Sequence, residues 1–330
     1  MAKVKHILVV RLSALGDVAL LAPVVLAFAE ANPEVHFTVA APPMLAPLFG
    51  GKGNLDFIGV SKKQPARAIY RQLRAVGADA VADMHVVNRV GRALRLLALD
   101  ELLKCHLHFR IIRLRKGRWS RWLMTHGYSR SPRRPQCERY ADVFRRLRLA
   151  EGHFLPEGEY HGEQGGAIGI APFAQHQGKI WPLDRTERLV AMLAGRGHRV
   201  VLFGSKDEAH KLDHWAQLYP RVVSVAGKLK FDEELDVMRH LSLMVSMDSA
   251  NMHFASAIGL PVVSIWGATH PDFGFYGLGQ ARGNALCADL PCQPCSAYGN
   301  RKCRYGDHHC LQAITPEAVL ARIEETLAQG

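Results

Sequence analysis

Two short runs in this 330-residue chain combine residue types suited to chemistry at points where a strand should hand over to a helix. Arg11-Leu-Ser-Ala-Leu-Gly16-Asp17 follows the apolar run Ile7–Val10 and precedes a long apolar stretch, which places one carboxylate at the turn. Met247-Asp248-Ser249-Ala250-Asn251-Met252-His253 follows the apolar run Leu241–Val245, and a second apolar strand, Pro261–Trp266, comes after it. An acid, a hydroxyl and the N–H groups of a helix start make such a junction a place for a sugar and a phosphate. Taken alone, Gly16 reads as a turn former and Asp17 as a helix cap. A dinucleotide fingerprint is excluded, because it needs three glycines and only Gly16 is present.

A third run, Ala171–Pro182, puts Lys179 in a polar loop after a strand, either as a point charge for a phosphate or as a solvated lysine. In Phe203-Gly204-Ser205-Lys206-Asp207-Glu208 the acids either bind ribose hydroxyls or complement a helix dipole. Five of the seven cysteines, Cys287, Cys292, Cys295, Cys303 and Cys310, crowd together with His308 and His309. That composition suits a structural zinc, although the spacing matches no standard finger. No Asp-x-Asp occurs, so a dicarboxylate metal–diphosphate site has no source and no catalytic metal ligand is assigned.

These runs need elements to hold them. Short apolar strands without strict alternation, at 7–10, 35–40, 57–60 and 80–84, interleave with helices near 18–30, 66–76 and 89–99. A helix at 140–148 closes the first half. Strands at 167–171, 199–203, 222–225, 243–246 and 262–266 interleave with helices in the second half. Such a pattern predicts an α/β protein with mainly parallel sheets covered on both faces. The division expected is a first domain over 1–152, a glycine-rich linker over 153–166 and a second domain over 167–330. The final helix, Thr315–Leu327, is free to pack back on the first domain. No stretch offers the ~20 apolar residues of a membrane span, and no cleaved leader is expected at the N-terminus, so a cytoplasmic chain is expected.

The formal charge of +12 is concentrated rather than spread. Between Arg110 and Arg148, thirteen Lys/Arg face only Glu138 and Asp142, with Trp119, Trp122 and Tyr128 interleaved. An anionic partner is expected there: nucleic acid, a membrane surface or a phosphorylated glycan. A noncatalytic nucleic-acid-binding protein is the rival from another class. Against it, no standard binding motif is present and the acids at strand ends would repel phosphates.

Taken in order, Arg11–Asp17, Lys179-x-Trp181-Pro182, Phe203-Gly204-Ser205, Asp248-Ser249-x-x-x-His253, Gly259-x-Pro261 and the terminal cysteine segment resemble the ADP-heptose-dependent lipopolysaccharide heptosyltransferases, glycosyltransferase family nine. The resemblance implies the GT-B fold, two Rossmann-like domains facing a cleft, and metal-independent inversion at the anomeric carbon. Asp17 is then the general base. The donor nucleotide-sugar is met by Gly16, Lys179, Glu208 (with Asp207 as rival), Asp248, Ser249, Ala250 and His253. Lys179 holds the diphosphate, Asp248 the sugar hydroxyls, and Ser249 with the following N–H groups a phosphate. Arg113, Arg115 and Arg118 are the acceptor-side candidates, toward an anionic, lipid-linked glycan at the inner membrane surface. The chain departs from many members in having Ala174 and Gln175 where hydroxyl residues precede the lysine. A transferase of the same fold with another donor or glycan is the nearer alternative, and the oligomeric state is left open.

Overall fold

The computed structural model describes residues 4–106, 108–154 and 162–329, and half of the expected linker, 155–161, lies outside them. Two compact units are present: Met1–Lys116 with Gln136–Leu155, and Gly117–Pro135 with Pro156–Gly330.

The first unit is a five-stranded parallel sheet of β1 (His6–Val10), β2 (His36–Ala41), β3 (Leu55–Gly59), β4 (Ala80–Asp83) and β5 (Arg110–Arg113), in the order β3-β2-β1-β4-β5. Helices α1 (Leu15–Ala31), α2 (Ala66–Arg74) and α3 (Asn88–Leu103) supply the crossovers with a 3₁₀ turn at Pro43–Phe49. The central strands are buried on both faces, which is why they read as plain apolar runs rather than alternating ones. Helix α1 starts at Leu15, three residues before the expected Val18, so Gly16 and Asp17 lie in its first turn and not in a preceding loop.

The second unit contains α4 (Arg118–Thr125), whereas α5 (Gln136–Arg146) returns to the first unit. The sequence division therefore differs from the structure at Gly117–Pro135. Contacts hold that segment to the second unit: the Arg133 N–H donates to the Asp272 carbonyl at 2.8 Å, and Arg121 Nη1 to the Tyr298 hydroxyl at 3.0 Å. The remaining elements are β6 (Ala167–Ala171), α6 (Leu183–Gly195), β7 (Val200–Leu202), α7 (Ala209–Leu218), β8 (Val222–Ser224), α8 (Phe231–Arg239), β9 (Leu241–Met247), α9 (Ala250–Ala257), β10 (Val262–Ile265), β11 (Ala285–Leu286), α10 (His309–Gln312) and α11 (Pro316–Gln329). All six strands pair in parallel, in the order β11-β10-β9-β6-β7-β8.

The final helix packs on the core of its own unit. Val319, Leu320 and Ile323 of α11 are buried in the core formed with Ile168, Leu189 and Val245. Trp181 Nε1 donates to the Ile314 carbonyl at 3.0 Å just before it. The apolar face of α11 completes the core of the second unit. No described helix is long and apolar enough to cross a membrane.

Candidate active-site loops at two sheet switch points

In each sheet the strand order reverses direction around its first strand, between β1 and β4 in one and between β6 and β9 in the other. Ligands of doubly wound sheets bind outside the carboxyl ends of the strands at such a point. The loops after β1 and β4 carry Arg11, Ser13 and His85, with Asp83 at the end of β4 and Asp17 in the turn that opens α1; those after β6 and β9 carry Lys179, Asp248 and Ser249.

In the first unit Asp17 is clamped. Its Oδ2 lies 2.5 Å from Arg11 Nη2 and accepts from the Ala14 N–H at 3.3 Å, half of a capping box. Ala14, not Asp17, is the cap residue. Tyr140 of α5 donates its hydroxyl to Asp17 Oδ1 at 3.3 Å, and burial pushes that phenol up, so it stays a donor. Burial opposes the charge of Arg11, but Tyr140 and Asp17 more than offset it and its pKa is raised. Arg11 also donates to the Met84 carbonyl. A half-buried carboxylate is thus held by a charge and two donors, leaving its reach toward a third group set by the backbone.

Beside it, the buried Asp83 accepts from the N–H groups of His85 and Val86 at 3.1 and 2.8 Å through Oδ1. Arg113 Nε stands 3.5 Å from the other oxygen. The Leu12 N–H donates to His85 Nδ1 at 3.4 Å, so the neutral ring carries its proton on Nε2 and donates to Ser13 Oγ at 2.9 Å. Burial first, then the charge of Arg11, pushes His85 down to about 3.

Unfolded, His85 takes up a proton near its ordinary value of 6.5, while in the fold it stays neutral down to about 3. The unfolded chain therefore binds more protons in that window. Its contribution to stability is complete above pH 6.5 and is lost as pH falls toward 3. His85→Asn, which keeps an acceptor but cannot titrate, should remove about 2 kcal/mol of the stability lost between pH 7 and pH 5. Denaturant melts at the two pH values measure it; an unchanged difference would mean His85 protonates freely in the fold.

In the second unit Lys179, at the end of a 3₁₀ turn (Gln177–Lys179), sets Nζ 2.7 Å from Asp248 Oδ2. The buried Asp248 also accepts from Thr269 Oγ1 at 2.8 Å. The lysine loop is pinned by backbone: Gly178 N–H donates to Gly299 O at 3.2 Å and Ala268 N–H to Gly178 O at 2.7 Å. A Cβ on Gly178 would lie 2.7 Å from the Gly299 oxygen, which is why a glycine precedes the lysine. Ser249 is the cap residue of α9, yet its hydroxyl lies 3.1 Å from Ser246 Oγ and makes no side-chain cap. The first-turn N–H groups, starting at half-exposed Ala250, are therefore not claimed by that side chain.

The other sequence candidates lie on several elements. Glu208 stands at the N-cap position of α7 after β7 without a side-chain cap, its Oε2 accepting instead from the Ser205 N–H at 2.7 Å. His253 is buried within α9, and Gly16, assigned to the donor, lies in the first unit. Arg113, Arg115 and Arg118 are all exposed, the first two in the first unit and the third on α4. Residues that sequence reasoning missed are Ser13, Asp83, His85, Tyr140 and Thr269, together with Arg11 as a partner of Asp17.

All seven cysteines are free thiols. Among the described residues, the group of three whose metal-ligand atoms all lie within 4.8 Å of one another is His270, Cys287 and Asp289. Cys292, Cys295, Cys303 and Cys310 belong to no such group of three among the described residues. Cys303 is surrounded by the N–H groups of Tyr305, Gly306 and His308, which draw its pKa down although burial raises it.

Residues 135–305 match glycosyltransferase family 9 (heptosyltransferase). The chain belongs to that family. It is 29% identical over 174 residues to lipooligosaccharide heptosyltransferase 2 of Haemophilus influenzae, covering 49% of this chain and 47% of that one. The chain thus spans about half the length of the curated relatives it matches. Among solved structures, a family 9 glycosyltransferase from Veillonella parvula superposes with a TM-score of 0.73 at 19% identity, covering 99% of this chain and 98% of that one. The ADP-heptose lps heptosyltransferase II of E. coli gives 0.69 at 18% identity, over 98% and 99%. The fold is the GT-B fold, with its two parallel sheets and alternating helices.

Proposed function

We propose that this protein is an inverting, metal-independent glycosyltransferase that moves heptose from ADP-heptose to a lipopolysaccharide core acceptor. The observation that carries it is the Lys179–Asp248 pair at the switch point of the second sheet, beside the start of α9, in a chain of the heptosyltransferase family. Loss of a nucleoside diphosphate needs positive charge at the leaving group, and the acceptor hydroxyl needs a base. Lys179 and the first-turn N–H groups of α9 supply the former; Asp17 supplies the latter. Asp248 holds Lys179 in place and offers its remaining oxygen to sugar hydroxyls, while Glu208 meets the ribose. Metal independence is supported by a cation placed where a metal would otherwise serve and by the absence of Asp-x-Asp. The test is release of ADP from ADP-heptose in the presence of a core acceptor.

On the acceptor side we assign Arg113, Arg115 and Arg118, and place the protein at the inner membrane surface. Arg115→Gln with Arg118→Gln should raise the acceptor KM, more at low salt than at high, and leave the donor KM near its original value. Equal weakening of both would assign these arginines to the fold. Arg113→Gln should lower thermal stability as well, since Arg113 is the charge nearest the buried Asp83.

A structural zinc in the cysteine-rich segment is supported best at His270, Cys287 and Asp289, which offer three of the four ligands of a tetrahedral site. Burial pushes the Cys287 thiol up to about 12, and zinc would reverse that by holding the thiolate. Purified protein should carry about one zinc per chain, reduced in Cys287→Ser. Metal analysis finding none in the wild type would leave these as ordinary side chains.

A further inference from the structure

Helix α4 and the turn after it carry a patch that the transfer chemistry does not use. Trp119 and Trp122 stack at 5.1 Å, Trp122 stacks on His126 at 4.5 Å and on Tyr128 at 5.6 Å. This column is outside the protein: Trp119 is 71% exposed, Trp122 42% and Tyr128 72%. The opposite side of the short helix is anchored by Met124, which is buried. Arg121 lies over the ring of Tyr298, itself exposed, with a centroid distance of 5.5 Å. From Gly117 to Gln136 the chain contains five arginines and no acid.

We propose that this face of α4 docks the protein on an anionic phospholipid surface. Tryptophan and tyrosine settle at the headgroup level, where a flat apolar ring and a polar edge are both satisfied. Arginines beside them meet lipid phosphates, and each basic group near a charged surface adds to affinity. An exposed aromatic column flanked by charge of one sign has the makeup of an interfacial anchor, since leaving three large rings in water is otherwise unfavourable. The proposal rests on the lipid-linked acceptor of the preceding section and names the element that would bring the chain to it.

Vesicles of phosphatidylglycerol with phosphatidylethanolamine, against vesicles of phosphatidylcholine alone, provide the test. The other three tryptophans, Trp181, Trp215 and Trp266, are buried, so a blue shift of emission on adding vesicles reports Trp119 and Trp122. Wild-type protein should co-sediment with the anionic vesicles, shift its emission and release in high salt. The W119S/W122S variant should lose at least about tenfold in vesicle affinity, with Arg121→Gln losing less. Because Trp119 and Trp122 are exposed, W119S/W122S should melt as the wild type does, and its transfer to a delipidated, soluble core acceptor should be unchanged. Equal binding of variant and wild type, or equal binding to phosphatidylcholine, overturns the proposal. So does a dimer in light scattering that W119S/W122S dissolves, which would make a second copy the occupant. Wild-type protein that binds anionic vesicles but transfers to neither acceptor would instead sink the transferase reading and leave the docking surface standing.

Discussion

Replacing Asp17 by Asn should lower kcat about 10²- to 10⁴-fold at saturating donor and acceptor, the ordinary worth of general-base catalysis. Asparagine keeps the shape and still accepts the Ala14 N–H, so a residue serving only as a helix cap would lose little in rate. The structure adds a second expected effect. Asn cannot pair with Arg11, whose guanidinium is buried, so thermal stability should fall too, by about 1–3 kcal/mol. The two effects separate when kcat is measured well below the variant's melting range. A kcat near the wild-type value would remove Asp17 from the mechanism whatever happened to stability.

Lys179→Ala should weaken ADP binding about ten- to a hundredfold, because a charge-assisted contact to phosphate contributes about 1.5–3 kcal/mol. It also leaves the buried Asp248, which accepts from Thr269, without its cation. Pairing Lys179→Ala with Asp248→Asn should restore stability and leave ADP binding weak. Calorimetry showing ADP affinity intact in the single variant would make the pair a structural one. Recovery of binding in the double variant would assign the loss to a misplaced Asp248.

Much of this was legible in the sequence because both sheets are parallel and covered on each face. Ile7–Val10 is apolar throughout and Val262–Ile265 is apolar but for Ser264, and their ends are marked by Arg11 and Gly267. Strand-end loops therefore announced Asp17, Lys179 and Asp248. Their partners were hidden, because they come from register rather than from local pattern. Val10 lies opposite Asp83 in the β1–β4 pairing, which brings His85 to Ser13 across more than seventy residues. The available signal was the polar pair Asp83 and His85, either side of Met84, at the end of an apolar strand. Tyr140 read only as part of a helix. The basic run concealed β5 and α4: two isoleucines between arginines, and a helix with one buried residue, leave little periodicity to see. The start of α1 was misjudged because Gly16 reads as a turn, whereas here it is buried inside the first turn of the helix.

The central claim is a heptosyl transfer from ADP-heptose, and one assay tests it most directly. Purified protein is incubated with ADP-heptose and a heptose-accepting core glycolipid; ADP release, product mass and the anomeric configuration of the new bond are measured together. Release should require the acceptor, match formation of a product heavier by one heptosyl residue, give the inverted anomer and persist with a chelator present. Acceptor-independent release, a retained anomer, or transfer from another nucleotide-sugar in preference to ADP-heptose would contradict the account.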